Sequence, residues 1–306
     1  MLRRLAGLVL AVVVCGSLAA CGSSSSPTSA ASGSGGVRVV AAENFWGSIA
    51  SQLAAGRASV QSIIVDPNQD PHSYEPTPAD ARAIATAQLV IVNGIGYDAW
   101  APRLLAANPV TGRVVLTVGD LLGLKQGDNP HRWYDPANVE TVANAITGGL
   151  KRLDPKDAAT FARRRALLDT RGLAAYHALI VAIRARYAGV AVGASESIFA
   201  LQAPALGLRL ITPASFMKAI SEGTDVTAQD TATVQRQLSR HEVKVWIYNS
   251  QNATPNIQRL NALARAERIP IATVTETMTP ARATFEQWQV AQLEGIRKAL
   301  ERATGR

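Results

Sequence analysis

Two parallel-sheet α/β lobes joined by one long rigid helix, with a cleft between the lobes, is the fold class this 306-residue chain predicts. Two observations predict it. Short β-branched runs alternate with helical patterns in two separate blocks, and a long stretch with no strand signal divides the blocks. Alternation of that kind gives parallel strands with helices packed on both faces.

In the first block, Val37-Arg38-Val39-Val40, Val60 to Val65, Leu89 to Val92 and Val114 to Val118 read as buried strands. Helical patterns lie between them at 43–56, 78–88 and 97–107. From Pro136 to Tyr187 only helix formers occur, broken at Gly148-Gly149 and at Asp154-Pro155. Asp154 suits an N-cap and Pro155 a first helical residue. A helix over 155–187 would extend about 50 Å at about 1.5 Å per residue, long enough for a rigid connector at 154–188. The second block repeats the first, with strands at Val190 to Val192, Leu208 to Ile211, Val243 to Tyr248 and Ile269 to Val274. Its helices are expected at 226–240, 254–267 and 281–303. The lobes are therefore expected at 37–153 and 189–306. Open α/β sheets bind ligands beyond the carboxyl ends of their strands, which places a site in the cleft.

The N-terminal residues read as an address. Arg3 and Arg4 precede an apolar run from Leu5 to Val14, interrupted by Gly7, and small residues lead to Leu18-Ala19-Ala20-Cys21. That order is expected of a secretory signal peptide over 1–21. Its ending resembles a bacterial lipobox, in which Cys21 carries the lipid. Residues 22–36, GSSSSPTSAASGSGG, are too poor in apolar side chains to order themselves and are expected to act as a tether. The expected location is the extracytoplasmic face of the cell membrane, held by that lipid. Cys15 and Cys21 are the only cysteines, so the body holds neither a disulfide nor a thiolate metal site.

The formal charge is +8. The arginines are scattered along helical segments, as in Arg163-Arg164-Arg165, and aromatic residues are few. A solvated basic face accounts for this, and no nucleic-acid partner is expected.

Only four histidines occur. His241 sits at a helix-to-strand turn and His177 on a helix face, both ordinary settings. His72 and His131 stand apart. Each lies in a loop beyond a strand, ahead of a helix, and bracketed by prolines: Asp70-Pro71-His72-Ser73-Tyr74-Glu75-Pro76 and Asn129-Pro130-His131-Arg132-Trp133-Tyr134-Asp135-Pro136. Imidazole is the commonest transition-metal ligand near neutral pH, and stiff loops lower the cost of holding it.

Together with the long connecting helix, these two stretches resemble the metal-binding, zinc/manganese-type family of ABC transporter solute-binding lipoproteins. The resemblance covers nearly all of 37–303. It implies a metal cleft between the lobes, with two ligands from each. The third ligand follows the opening strand of the second lobe, where Val192-Gly193-Ala194-Ser195-Glu196-Ser197 offers Glu196. The fourth is an acid after the last strand, where Thr273-Val274-Thr275-Glu276 offers Glu276 in place of the more usual Asp. His72, His131, Glu196 and Glu276 would then hold Mn²⁺, Zn²⁺ or Fe²⁺ as transported cargo. Asp70, Tyr74, Asp135, Ser195 and Asn249 are expected to support these ligands, with Trp133 and Phe199 keeping the cleft dry. The implied partner is the permease of a metal importer, and the chain is expected to be monomeric. The same fold could bind a metal chelate such as a siderophore or corrinoid, or act as a surface adhesin. Neither His-Glu-x-x-His nor Gly-x-Ser-x-Gly is present, so no enzyme is expected.

Overall fold

A computed structural model of the chain describes residues 36–306 apart from Asp70. The expected signal peptide, Cys21 and residues 22–35 of the tether lie outside the described residues, as does the supporting role given to Asp70.

The first sheet is built from β1 (Val37–Glu43), β2 (Ala58–Ile64), β3 (Leu89–Val92) and β4 (Val114–Thr117), in the order β2-β1-β3-β4, all parallel. Its helices are α1 (Asn44–Ala54), α2 (Pro78–Thr86), α3 (Ala101–Ala107), the single turn α4 (Val118–Leu121) and α5 (Pro136–Leu153). Every residue of β3 is buried, because helices cover both faces of an inner parallel strand. Two 3₁₀ turns carry the loops of interest, Pro71–Ser73 after β2 and Arg132–Tyr134 before α5.

Between the sheets the chain is helical from Pro155 to Tyr187, as expected, but not uniformly so. A 3₁₀ turn (Pro155–Asp157) leads into α6 (Ala158–Leu167), a π-helical turn (Leu168–Gly172) and α7 (Ala174–Tyr187). Asp154 makes no side-chain capping bond, contrary to expectation, because the 3₁₀ turn occupies the entry to the helix.

The second sheet repeats the first in order, β6-β5-β7-β8, again parallel. Its strands are β5 (Ala191–Ala194), β6 (Arg209–Leu210), β7 (Val245–Asn249) and β8 (Ile271–Val274). Its helices are α8 (Ala214–Ser221), α9 (Ala228–Ser239), α10 (Pro255–Ala266) and α11 (Phe285–Thr304). α8 lies outside the helices expected at 226–240, 254–267 and 281–303. It forms because Phe216, Met217 and Ile220 share one buried face.

One continuous apolar core runs through both lobes, the connector and α11. α11 packs along α7 and also meets α1 of the first lobe. There the Phe285 amide donates to Ser48 Oγ at 2.9 Å and Gln52 Nε2 donates to Glu286 at 2.9 Å. The C-terminal helix therefore braces both lobes, and the carboxyl ends of the two sheets meet across a cleft.

Candidate metal centre

His131 is the most enclosed of the four expected ligands. It is fully buried, at the entry to the Arg132–Tyr134 turn. Asn129, two residues earlier, accepts the His131 backbone N–H at 3.1 Å and lies 2.8 Å from Nδ1. The Asn129 amide nitrogen donates to the Ser197 carbonyl at 2.7 Å, so its oxygen must face the ring. Nδ1 therefore carries a proton in the neutral ring, and Nε2 is turned to Glu276 from the other lobe. Behind the loop, Asn93 accepts from Trp46 Nε1 at 3.1 Å and donates to the Pro130 carbonyl at 2.9 Å. Trp133 stacks on Phe45 with centroids 3.9 Å apart and turns its edge toward His131.

His72 approaches from the Pro71–Ser73 turn, its ring edge-on to Tyr97 at 4.7 Å. Glu276 comes from the other lobe, in the loop after β8. Its backbone N–H and that of Thr277 both donate to Gln251 Oε1, at 2.7 and 2.9 Å. His131 Nε2 lies 3.0 Å and His72 Nε2 3.4 Å from the same oxygen, Glu276 Oε1. One ligating atom from each of these residues falls within 4.8 Å of the others.

Three groups able to offer electron pairs converge here, and a proton or a cation between them satisfies the arrangement. Burial pushes the His131 imidazole down, toward its neutral form, against the pull of Glu276. Burial alone would raise the Glu276 carboxyl. Hydrogen bonds and charge from His131 and His72 outweigh it and hold the acid well below the usual carboxylate range. The charge that satisfies this arrangement is a proton or a metal ion, and the two compete.

Glu196 is buried beside this group but is not one of the three. Its Oε2 accepts from Asn252 Nδ2 at 2.9 Å. A cleft of about 400 Å³ opens over His72 and Glu276, lined also by Gln69, Ser221, Gln251 and Asn252.

The expected supporting residues hold the scaffold more than the ligands. The Tyr74 hydroxyl donates to Asp80 at 2.7 Å, Asp135 caps α5, and Ser195 Oγ accepts the Asn249 amide at 3.1 Å. Asn249 in turn accepts the Gln251 amide at 3.0 Å. Phe199 is fully buried in the common core. Three side-chain amides hold candidate ligands in place: Asn129 on His131, Gln251 on the Glu276 backbone and Asn252 on Glu196. Of these only Asn129 left a sequence signal, an Asx turn implied by Asn-Pro-His.

A second acid and histidine group, Glu140, Asp169 and His177, lies at the connector. Arg165 pairs with Glu140 and stands 3.8 Å from Asp169, so the cluster already has its cation. His241 pairs with Glu267 at 3.2 Å near the surface.

Residues 39–299 match the family model described as "Zinc-uptake complex component A periplasmic". A manganese-binding lipoprotein of Halalkalibacterium halodurans is 32% identical over 154 residues, 49% of this chain and 49% of its own length. A manganese ABC transporter substrate-binding lipoprotein of Streptococcus pneumoniae is 32% identical over 163 residues, 49% of this chain and 51% of its own. The chain thus spans about half the length of the curated relatives it matches. Among solved structures, a manganese-bound mutant of a periplasmic metal-binding protein from Candidatus Liberibacter asiaticus superposes with a TM-score of 0.73 at 19% identity. That match covers 86% of this chain and 98% of the other. At that identity the likeness establishes the fold. The family match covers most of the chain, and the chain belongs to the family of periplasmic zinc-uptake component A.

Proposed function

We propose that this protein captures a divalent transition-metal ion between its lobes and delivers it to the permease of an ABC importer. The observation that carries the reading is the convergence of His72, His131 and Glu276 from two lobes on one point. Glu196 completes the set as the fourth ligand. Two neutral imidazoles and two carboxylates balance a dication, and nitrogen and oxygen donors suit Mn²⁺, Fe²⁺ or Zn²⁺. The curated relatives named above bind manganese, while affinity order at nitrogen and oxygen sites favours zinc over manganese.

Residues 37–153 and 189–306 act as the lobes and 154–188 as the connector, in a monomer anchored by a lipid on Cys21 outside the cytoplasm. The protein binds and releases its cargo without a catalytic step. Among the described residues no arginine lines the cleft over His72 and Glu276, which speaks for a bare cation over an anionic chelate.

The test is a thermal melt of metal-stripped protein with Mn²⁺, Fe²⁺, Zn²⁺, Co²⁺ or Ca²⁺ added. An ion at about 100 times its dissociation constant adds about 2.7 kcal/mol to stability. The expected result is a shift with transition metals, absent with Ca²⁺ and lost in His72→Ala and Glu276→Ala. No shift with any ion would refute the reading.

A further inference from the structure

We propose that Asn252 sets how Glu196 meets the metal, and through it the ion preference of the cleft. The inference rests on the metal-capture reading above. The loop after β7 contributes none of the four ligands, yet it holds both acids of the second lobe. Gln251 acts on the backbone of Glu276. Its Oε1 takes the Glu276 and Thr277 amides, and its Nε2 donates to Thr277 Oγ1 at 2.9 Å and Thr279 Oγ1 at 3.3 Å. Glu276 Oε1 stays aimed at the two imidazoles.

Asn252 acts instead on the side chain of Glu196. Its amide nitrogen donates to Glu196 Oε2 at 2.9 Å and to the Ile220 carbonyl at 3.3 Å, at the end of α8. With both partners acceptors, the amide cannot turn over without setting its own oxygen against them. Glu196 is 1% exposed, so little water competes for Oε2. This bond takes one lone pair of Oε2 and weakens that oxygen as a donor, so a metal meets Glu196 first through Oε1. The ion then meets His72 Nε2, His131 Nε2, one oxygen of Glu196 and Glu276. Such a small donor set favours zinc, which accepts four-coordinate tetrahedral sites. Manganese prefers octahedral, oxygen-rich surroundings and would gain from the second Glu196 oxygen. Asn252 is thus a positioning residue that holds back that oxygen.

The experiment is a competition of Zn²⁺ against Mn²⁺ for purified wild type, Asn252→Leu, Asn252→Ala and Glu196→Gln, with the visible spectrum of bound Co²⁺ as a measure of coordination. The leucine keeps the branched outline of the asparagine and removes the donor, the alanine removes it without added bulk, and a thermal melt of each identifies the variants that keep the fold. The expected result is a shift of preference toward Mn²⁺ of about tenfold in both Asn252 variants, the size of one charge-assisted hydrogen bond. The Co²⁺ bands should weaken as coordination rises, a change that loss of packing alone does not produce. An unchanged metal ratio and Co²⁺ spectrum in a variant melting like wild type would overturn the inference. So would undiminished metal affinity in Glu196→Gln, which would leave the capture reading standing. Failure of the wild type to bind either ion would instead remove the capture reading, and the inference with it.

Discussion

The two lobes share one sheet order, β2-β1-β3-β4 against β6-β5-β7-β8, yet they present their proposed ligands by different means. In the first, the imidazoles sit against aromatic rings: His72 on Tyr97, and His131 on Trp133, which itself stacks on Phe45. In the second, the carboxylates are steered by the amides of Gln251 and Asn252. Packed rings fix a nitrogen lone pair in one direction. A carboxylate steered by amides can still choose which oxygen to offer. On the proposed capture of a metal, the first lobe would define where the ion sits and the second would adjust how many donors surround it. In both lobes the loop after the third strand supplies support and none of the proposed ligands: Asn93 and Asp98 after β3, Gln251 and Asn252 after β7.

The largest expected effects compare one supporting side chain from each lobe. Asn129→Ala frees the His131 tautomer and lowers metal affinity by about 100-fold, the upper end for residues that orient a ligand. Gln251→Ala lowers it by about tenfold, because the Glu276 carboxylate can re-aim once its backbone loosens. Titration of both variants with a competing chelator checks the order. Equal losses, or the reverse order, would break the comparison.

A smaller effect concerns a buried acid pair present only in the first lobe. β1 ends at Glu43, fully buried beside Asp98, whereas β5 ends at Ala194. Burial, and then the charge of Asp98, pushes the Glu43 carboxyl well up. Burial raises Asp98 as well, against the Gly94 and Asn93 amides that donate to it at 2.8 and 2.7 Å. An acid whose folded pKa is raised binds more protons folded than unfolded. Its contribution to stability is complete below the unfolded value of about 4.3 and is lost as pH rises toward the folded value. Glu43→Gln should flatten the decline of Tm between pH 5 and pH 8. At pH 8 it should raise Tm by about 2–4 °C, the shift of roughly 1 kcal/mol in a chain of this size. Parallel slopes for variant and wild type would show that Glu43 takes up no extra proton on folding in this range.

The sequence disclosed what depends on local pattern. Leu89 to Val92 is legible as an inner strand because burial on both faces leaves an unbroken apolar run. β6, only two residues long, lies inside the strand expected at Leu208 to Ile211. The π-helical turn at Leu168–Gly172 was invisible, since its bonding has no residue signature. α8 escaped because its apolar face is brief. At the candidate centre, two rare histidines in proline-bracketed loops were legible from the residues, while Glu196 and Glu276 came only through family resemblance. Gln251 and Asn252 were not legible at all. Their partners lie 25 and 56 residues away, so only the folded sheet brings them together.

The most direct test of the central claim is X-ray absorption on the protein loaded with one equivalent of Mn²⁺ or Zn²⁺. The account predicts two imidazoles and carboxylate oxygens around the ion, with one imidazole lost in His131→Ala. A first shell of oxygen alone, or one unchanged by that substitution, would contradict it.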